Sequence, residues 1–169
     1  MRETSSSEVR IFFADTRFER MARRPGGVPR EMALARADKM VDELRLDFGD
    51  WLDRELQELN AALSKAESDP NDNVALEDAC RNCAQLEGVC AAMDYGLVTF
   101  VAENLRKIVS TVVSGAPYDK EMIDCHTDAL LLAKTEQYRA LRPDQVPEMA
   151  SGLRRVVELA AKTSGATKK

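Results

Sequence analysis

The chain has 169 residues, of which 31% are charged and only 5% aromatic. This length suits one domain with a sizeable core, and the composition is typical of a soluble helical bundle. A formal net charge of -5 argues against a dedicated nucleic-acid binder, which needs a basic surface. The apolar run from Ile11 to Ala14 is too short for a signal-peptide core or a membrane span, so we expect a cytoplasmic protein without a membrane partner.

The first 29 residues are predicted to form a separate N-terminal segment. Residues 8–23 are compatible with a short helix, and the Pro- and Gly-rich loop of residues 23–31 ends it. From residue 30 to Glu67 apolar residues recur in steps of three and four, which predicts a long amphipathic helix. Its expected buried stripe is Val41, Leu44, Phe48, Leu52, Leu56, Leu59 and Leu63.

Three further helices are predicted after the turn of residues 68–73, whose last Asp or Asn can cap the next helix. They cover about residues 74–93, 97–113 and 118–140, and Gly96 is expected to take the left-handed conformation that closes the first of them. Pro143 and Pro147 precede a last helix that ends near residue 163, before a disordered tail, residues 164–169. No segment alternates strictly, so we predict an all-α fold: an antiparallel four-helix bundle over residues 30–141 with a C-terminal helix over 142–163.

The four cysteines are the first candidates for chemistry. Cys80, Cys83 and Cys90 lie roughly on one side of a predicted helix, and a zinc site shared with Cys125 and His126 is geometrically conceivable. Cys83 and Cys90 nevertheless alternate with Leu76, Leu86 and Met93 in an apolar stripe, and small cysteines pack well in bundles. The pattern favours reduced, buried thiols and predicts no metal and no other cofactor.

His126 is the only histidine, so any mechanism that needs an imidazole must use it. Its neighbours Asp124 and Asp128 are expected to raise its pKa or to orient the ring. Its spacing from Met122 and Leu130 places it on or beside the buried stripe, which favours a packing role. The spacing sets no serine or cysteine nucleophile beside it, so a catalytic triad is not indicated.

The stretch from Ala84 to Val98 resembles the central helix of histidine phosphotransfer domains, which are four-helix bundles. Gly88 matches the family's glycine, Ala91 and Ala92 match its small residues, and Tyr95-Gly96 matches the break before the next helix. Residues 123–130 are similar to the final bundle helix of alphaproteobacterial members, so the resemblance covers roughly residues 35–140. The motif from Arg17 to Glu31 resembles that of a small subgroup of such proteins.

Two departures from the family pattern decide the predicted function. Ala84 stands where the family has its phosphoaccepting histidine, and Glu87 stands where it has a lysine. Alanine offers no nucleophile, and the carboxylate of Glu87 repels a phosphoryl group. The resemblance therefore implies a non-catalytic module that docks a receiver domain, a histidine kinase or another two-component signalling protein through Ala84, Glu87, Gly88 and Ala91.

Two alternatives stay open. The first is a genuine phosphocarrier that uses His126. The second is a structural helical bundle that forms a homodimer through the long helix and the N-terminal segment.

Overall fold

The computed structural model describes residues 28–70 and 72–166, and within these ranges the protein is all-helical, with no strand. This confirms the predicted all-α class. The helices are α1 (Arg30–Ser68), α2 (Asn73–Ala92), α3 (Gly96–Val113), α4 (Lys120–Ala133) and α5 (Pro147–Ala166), with a 3₁₀-helix at Pro143–Gln145 before α5. The helix predicted for residues 8–23, the start of its loop and the end of the predicted tail lie outside the described residues.

The chain divides into two units between Leu46 and Asp47. In the described part of the first unit, α1 exposes the apolar side chains of Met32, Leu34, Met40 and Leu44. Leu44 was predicted to be buried but is 54% exposed, because no described side chain of its unit covers it. The side chain of Val41, predicted on the same stripe, lies outside the described residues.

In the second unit the predicted stripe of α1 is buried. Phe48, Leu52, Leu56, Leu59 and Leu63 all belong to one apolar core, which confirms this part of the periodicity. Helix α3 is the central element because it packs against α2, α4 and α5. Its predicted buried face is confirmed as well and consists of Leu97, Val101, Leu105, Ile108 and Val112. None of the helices in the described ranges is long and apolar enough to cross a membrane.

Polar contacts show the direction of neighbouring helices. Lys134 Nζ lies 2.6 Å from Asp53 Oδ1 and Lys120 Nζ lies 2.7 Å from Glu67 Oε2, so α4 runs antiparallel to the second half of α1. The Tyr118 hydroxyl, just before α4, donates to the Leu63 carbonyl at 3.1 Å and is a further contact between the start of α4 and α1.

The helix boundaries follow local capping chemistry. Asp72 caps α2 as predicted, since its Oδ1 accepts from the backbone N–H groups of Val74 and Ala75 at 3.0 and 3.2 Å. Helix α4 ends at Ala133, earlier than the predicted residue 140. There the N–H and the hydroxyl of Thr135 both donate to the Leu132 carbonyl, at 3.1 and 2.8 Å, and these bonds to the residue three positions back form a turn in place of a further helical bond.

The turn between α2 and α3 differs from its prediction. Asp94, with φ 61°, takes the left-handed conformation that was expected of Gly96, and Gly96 is the first residue of α3. The N–H of Tyr95 donates to the Cys90 carbonyl at 2.9 Å and the N–H of Asp94 to the Ala91 carbonyl at 3.4 Å. These two bonds satisfy carbonyls at the end of α2, and the left-handed residue must lie at Asp94 for them to form.

Candidate partner-binding surface

The predicted contact residues lie on the face of α2 that points away from the core. Ala84, Gly88 and Ala91 are all exposed, whereas Cys83, Leu86 and Cys90 on the other side of the helix are fully buried. A Cβ atom added at Gly88 would meet no atom within 4 Å. These three residues, called the α2 flank below, form a strip with short side chains that the backbone of another protein can approach closely.

Glu87 lies beside the α2 flank but is not a free anion. It is half-buried, and its Oε2 accepts a hydrogen bond of 3.0 Å from Arg106 Nε on α3. Of the four predicted contact residues, Glu87 is therefore the one engaged within the protein. The guanidinium offsets the negative charge that the sequence predicted at this position, which reduces the expected repulsion of a phosphoryl group.

Arg106 was missed by the sequence reasoning, although the short turn between α2 and α3 was a usable signal. Cys80 Sγ lies 3.7 Å from Ser110 Oγ, so α2 and α3 form an antiparallel hairpin in which Glu87 and Arg106 face each other. In this hairpin register, Glu87 and Arg106 are offset by about one helical turn along the helix axes. An arginine side chain is long enough to bridge that offset.

Gln85, next to Ala84, joins the other edge of α2 to α1. Its Nε2 donates a hydrogen bond of 3.0 Å to Glu55 Oε1. The Glu55 side chain is 8% exposed, and its Oε2 has no hydrogen-bond partner among the described residues. Burial, reinforced by the neighbouring carboxylate of Glu58, raises the pKa of Glu55. The α2 flank is thus held between an ion pair to α3 and a hydrogen bond to α1.

His126 on α4 is fully buried, as its spacing predicted. Its Nδ1 lies 2.9 Å from the Met122 carbonyl, which can only accept, so Nδ1 carries the proton and Nε2 is bare. Nε2 is buried without a hydrogen-bond partner among the described residues. Burial lowers the pKa of His126, which corrects the expectation that its acidic neighbours raise it. Asp124 is one of those neighbours, and its carboxylate lies 3.7 Å from Lys120 Nζ.

The cysteines show two environments. Cys83 and Cys90 are buried, and burial raises the pKa of each thiol to about 12. This confirms their predicted packing role. Cys80 is half-buried and Cys125 is exposed. Within the described ranges no three side chains of the His, Cys, Asp and Glu types come together as metal ligands would.

Comparisons of the chain with protein-family models, with curated proteins and with solved structures find no match. The likeness to histidine phosphotransfer domains therefore rests on the quoted residues alone and stays a prediction.

Proposed function

We propose that the protein is a non-catalytic binding module that docks a receiver domain or another two-component signalling protein. The observation that carries this proposal is the exposure of Ala84, Gly88 and Ala91 as one strip of small residues on α2. In this proposal the second half of α1 and helices α2–α4 form a bundle of the phosphotransfer type, and α5 is an addition to it. The antiparallel contacts of α1 with α4 and of α2 with α3 are consistent with such a bundle.

The chemistry of the α2 flank favours recognition without reaction. Position 84, where the family places its nucleophilic imidazole, holds a methyl group, so no bond to phosphorus can form there. The salt bridge of Glu87 with Arg106 leaves no net charge next to it, so a partner that covers this position buries a compensated ion pair instead of a lone carboxylate. Binding would compete with productive phosphotransfer proteins for the same partner.

The phosphocarrier alternative has less support. A phosphoacceptor must meet an aspartyl phosphate in line, and His126 has no exposed surface. Transfer to it would first require α4 to open. The homodimer alternative depends on the exposed apolar side chains of the first half of α1.

Binding can be tested with a pair of matched glycine variants. Gly88→Arg places a long cation on the α2 flank, while Gly152→Arg makes the same change on α5, and an added Cβ meets nothing within 4 Å at either position. Both changes should keep or raise stability, because Arg favours a helix over Gly by up to about 1 kcal/mol. We expect Gly88→Arg to weaken binding to a purified receiver domain at least tenfold and Gly152→Arg to leave it unchanged. Equal affinities of the two variants would show that the interface does not include the α2 flank.

A gain of function tests the docking geometry directly. In Ala84→His the imidazole would stand exposed where the family has its acceptor, so a phosphorylated receiver domain should transfer its phosphoryl group from the aspartate oxygen to the new ring nitrogen. Intact-mass measurement should then show an acid-labile adduct of about 80 Da, the mass of one phosphoryl group, on this variant only. The native chain and Ser151→His, a control on α5, should remain unmodified. An adduct on the native chain that His126→Ala removes would establish the alternative instead.

A further inference from the structure

The first half of α1 carries an apolar stripe that no described side chain of its unit covers. Ala33, Ala37, Met40 and Leu44 follow one another in steps of four, three and four, so they lie on one face of the helix. All four are exposed, and Met40 and Leu44 are 64% and 54% exposed. An amphipathic helix usually packs such a face against a neighbouring element.

A matching pattern precedes it in the chain. In residues 8–23, which lie outside the described residues, Ile11, Ala14, Phe18 and Met21 recur in steps of three, four and three. This spacing predicts an apolar stripe along one face of a helix. The loop of residues 24–29 between the two segments has a length usual for connections between antiparallel helices, about 2–8 residues.

We propose that residues 8–23 form a helix that packs antiparallel on the exposed stripe of Arg30–Leu46 as a helical hairpin. Folding the chain back about the Pro-Gly-Gly turn brings the two stripes into register without offset. Three of the resulting pairs set a large side chain opposite an alanine, the alternation that lets facing helices interdigitate. The pairs are Met21 with Ala33, Phe18 with Ala37, Ala14 with Met40, and Ile11 with Leu44.

Length and connectivity make this segment a better occupant than a second copy of the chain. As helices, residues 8–23 span roughly 24 Å and Arg30–Leu46 roughly 26 Å, so one covers the other almost completely. A short loop also gives the segment an effective concentration on the order of millimolar, above the concentration at which a second protein molecule would compete. The hairpin is independent of the proposed receiver docking on α2.

Disulfide trapping in the full chain tests the pairing. Phe18→Cys with Ala37→Cys joins two facing positions, and Phe18→Cys with Lys39→Cys, on the opposite side of α1, is the matched control. Both are made with Cys125→Ser and Cys80→Ser, because the two remaining cysteines are buried. In a glutathione buffer we expect the facing pair to form an intramolecular disulfide at least tenfold more completely than the control. A disulfide between chains would identify a second copy as the occupant, and no preference between the pairs would also overturn the proposal.

Amide hydrogen exchange supplies a second test without cysteines. Phe18→Asp puts a charge into the proposed seam and should speed exchange of Arg30–Leu44 at least tenfold. Phe13→Asp makes the same change off the stripe and should leave exchange unchanged. If both variants exchange like the native chain, residues 8–23 do not cover α1.

Discussion

Arg106 on α3 and Glu87 on α2 form a salt bridge with a distance of 3.0 Å between Nε and Oε2, beside the exposed flank of α2. It joins the two helices whose packing sets the position of that flank. Both side chains remain partly exposed, so the pair contributes about 0.2–1 kcal/mol to the free energy of unfolding.

Charge reversal measures this contribution. Glu87→Lys should lower the free energy of unfolding by about 1 kcal/mol, because it removes the pair and opposes two cations. The double variant with Arg106→Glu should recover most of the loss in urea denaturation. Glu103→Lys is the control, because Glu103 forms an exposed ion pair with Lys107 within α3. This change should lower the free energy of unfolding by less, about 0.3–0.5 kcal/mol. No recovery in the double variant would mean that the pair does not couple α2 to α3.

The left-handed Asp94 makes a second prediction about stability. A non-glycine residue in this conformation is strained by up to about 1–2 kcal/mol, and aspartate less than most. Asp94→Gly should therefore raise the free energy of unfolding by about 0.5–1 kcal/mol. Asp94→Gly also removes the exposed ion pair with Arg142, whose Nη2 lies 3.8 Å from Asp94 Oδ1. This loss lowers the free energy of unfolding only slightly, because an exposed pair contributes little. Asp94→Ala removes the same carboxylate but keeps the strain and should be destabilising, so a stabilised Asp94→Ala would contradict the explanation.

Helix positions were predictable from the sequence because their causes are local. The steps of three and four from Phe48 to Leu63 and the cap at Asp72 depend only on neighbours in the chain. The end of α4 was not predictable in this way. Helix-favouring residues continue past Ala133, so the local pattern predicts a longer helix. In the structure a turn at Thr135 follows Ala133 instead.

The candidate site was predictable only in part. The exposure of Ala84 and Gly88 agrees with the outward position that helical periodicity gives them opposite Cys83 and Leu86. The partner of Glu87 depends on the packing of α2 against α3, which a single sequence does not specify. For the same reason the burial that lowers the pKa of His126 was not predictable from its acidic neighbours, from which the sequence predicted either a raised pKa or an oriented ring.

The thiols should differ widely in reactivity. The thiolate is the reactive form, and burial both shields Cys83 and Cys90 and raises their pKa values to about 12. At pH 8 N-ethylmaleimide should modify the exposed Cys125 first and the half-buried Cys80 more slowly, as followed by peptide mass. Cys83 and Cys90 should react only after denaturant is added. Rapid modification of either in the native chain would contradict the packed core around α2.

The buried imidazole of His126 makes stability depend on pH in a defined direction. Its pKa in the folded protein is lowered by burial, so the unfolded chain takes up a proton near pH 6.5 that the folded protein resists. The free energy of unfolding should change little near pH 7.5, where neither this imidazole nor the buried thiols titrate, and fall below about pH 6.5, by at most about 1.4 kcal/mol per pH unit for one proton. Since the chain has a single histidine, His126→Leu should remove this fall between about pH 5 and 7.

Glu55 supplies the control because its titration changes the free energy of unfolding in the opposite direction to that of His126. Its pKa is raised in the folded protein, so its contribution stabilises the protein when the pH falls and the carboxyl takes up a proton. This partly masks the effect of His126. Glu55→Gln removes the titration and leaves the carbonyl that accepts from Gln85, so the acid-side fall in stability should become steeper. If His126→Leu retained the whole fall while Glu55→Gln left it unchanged, neither buried group would control the acid response, and surface carboxylates would have to account for it.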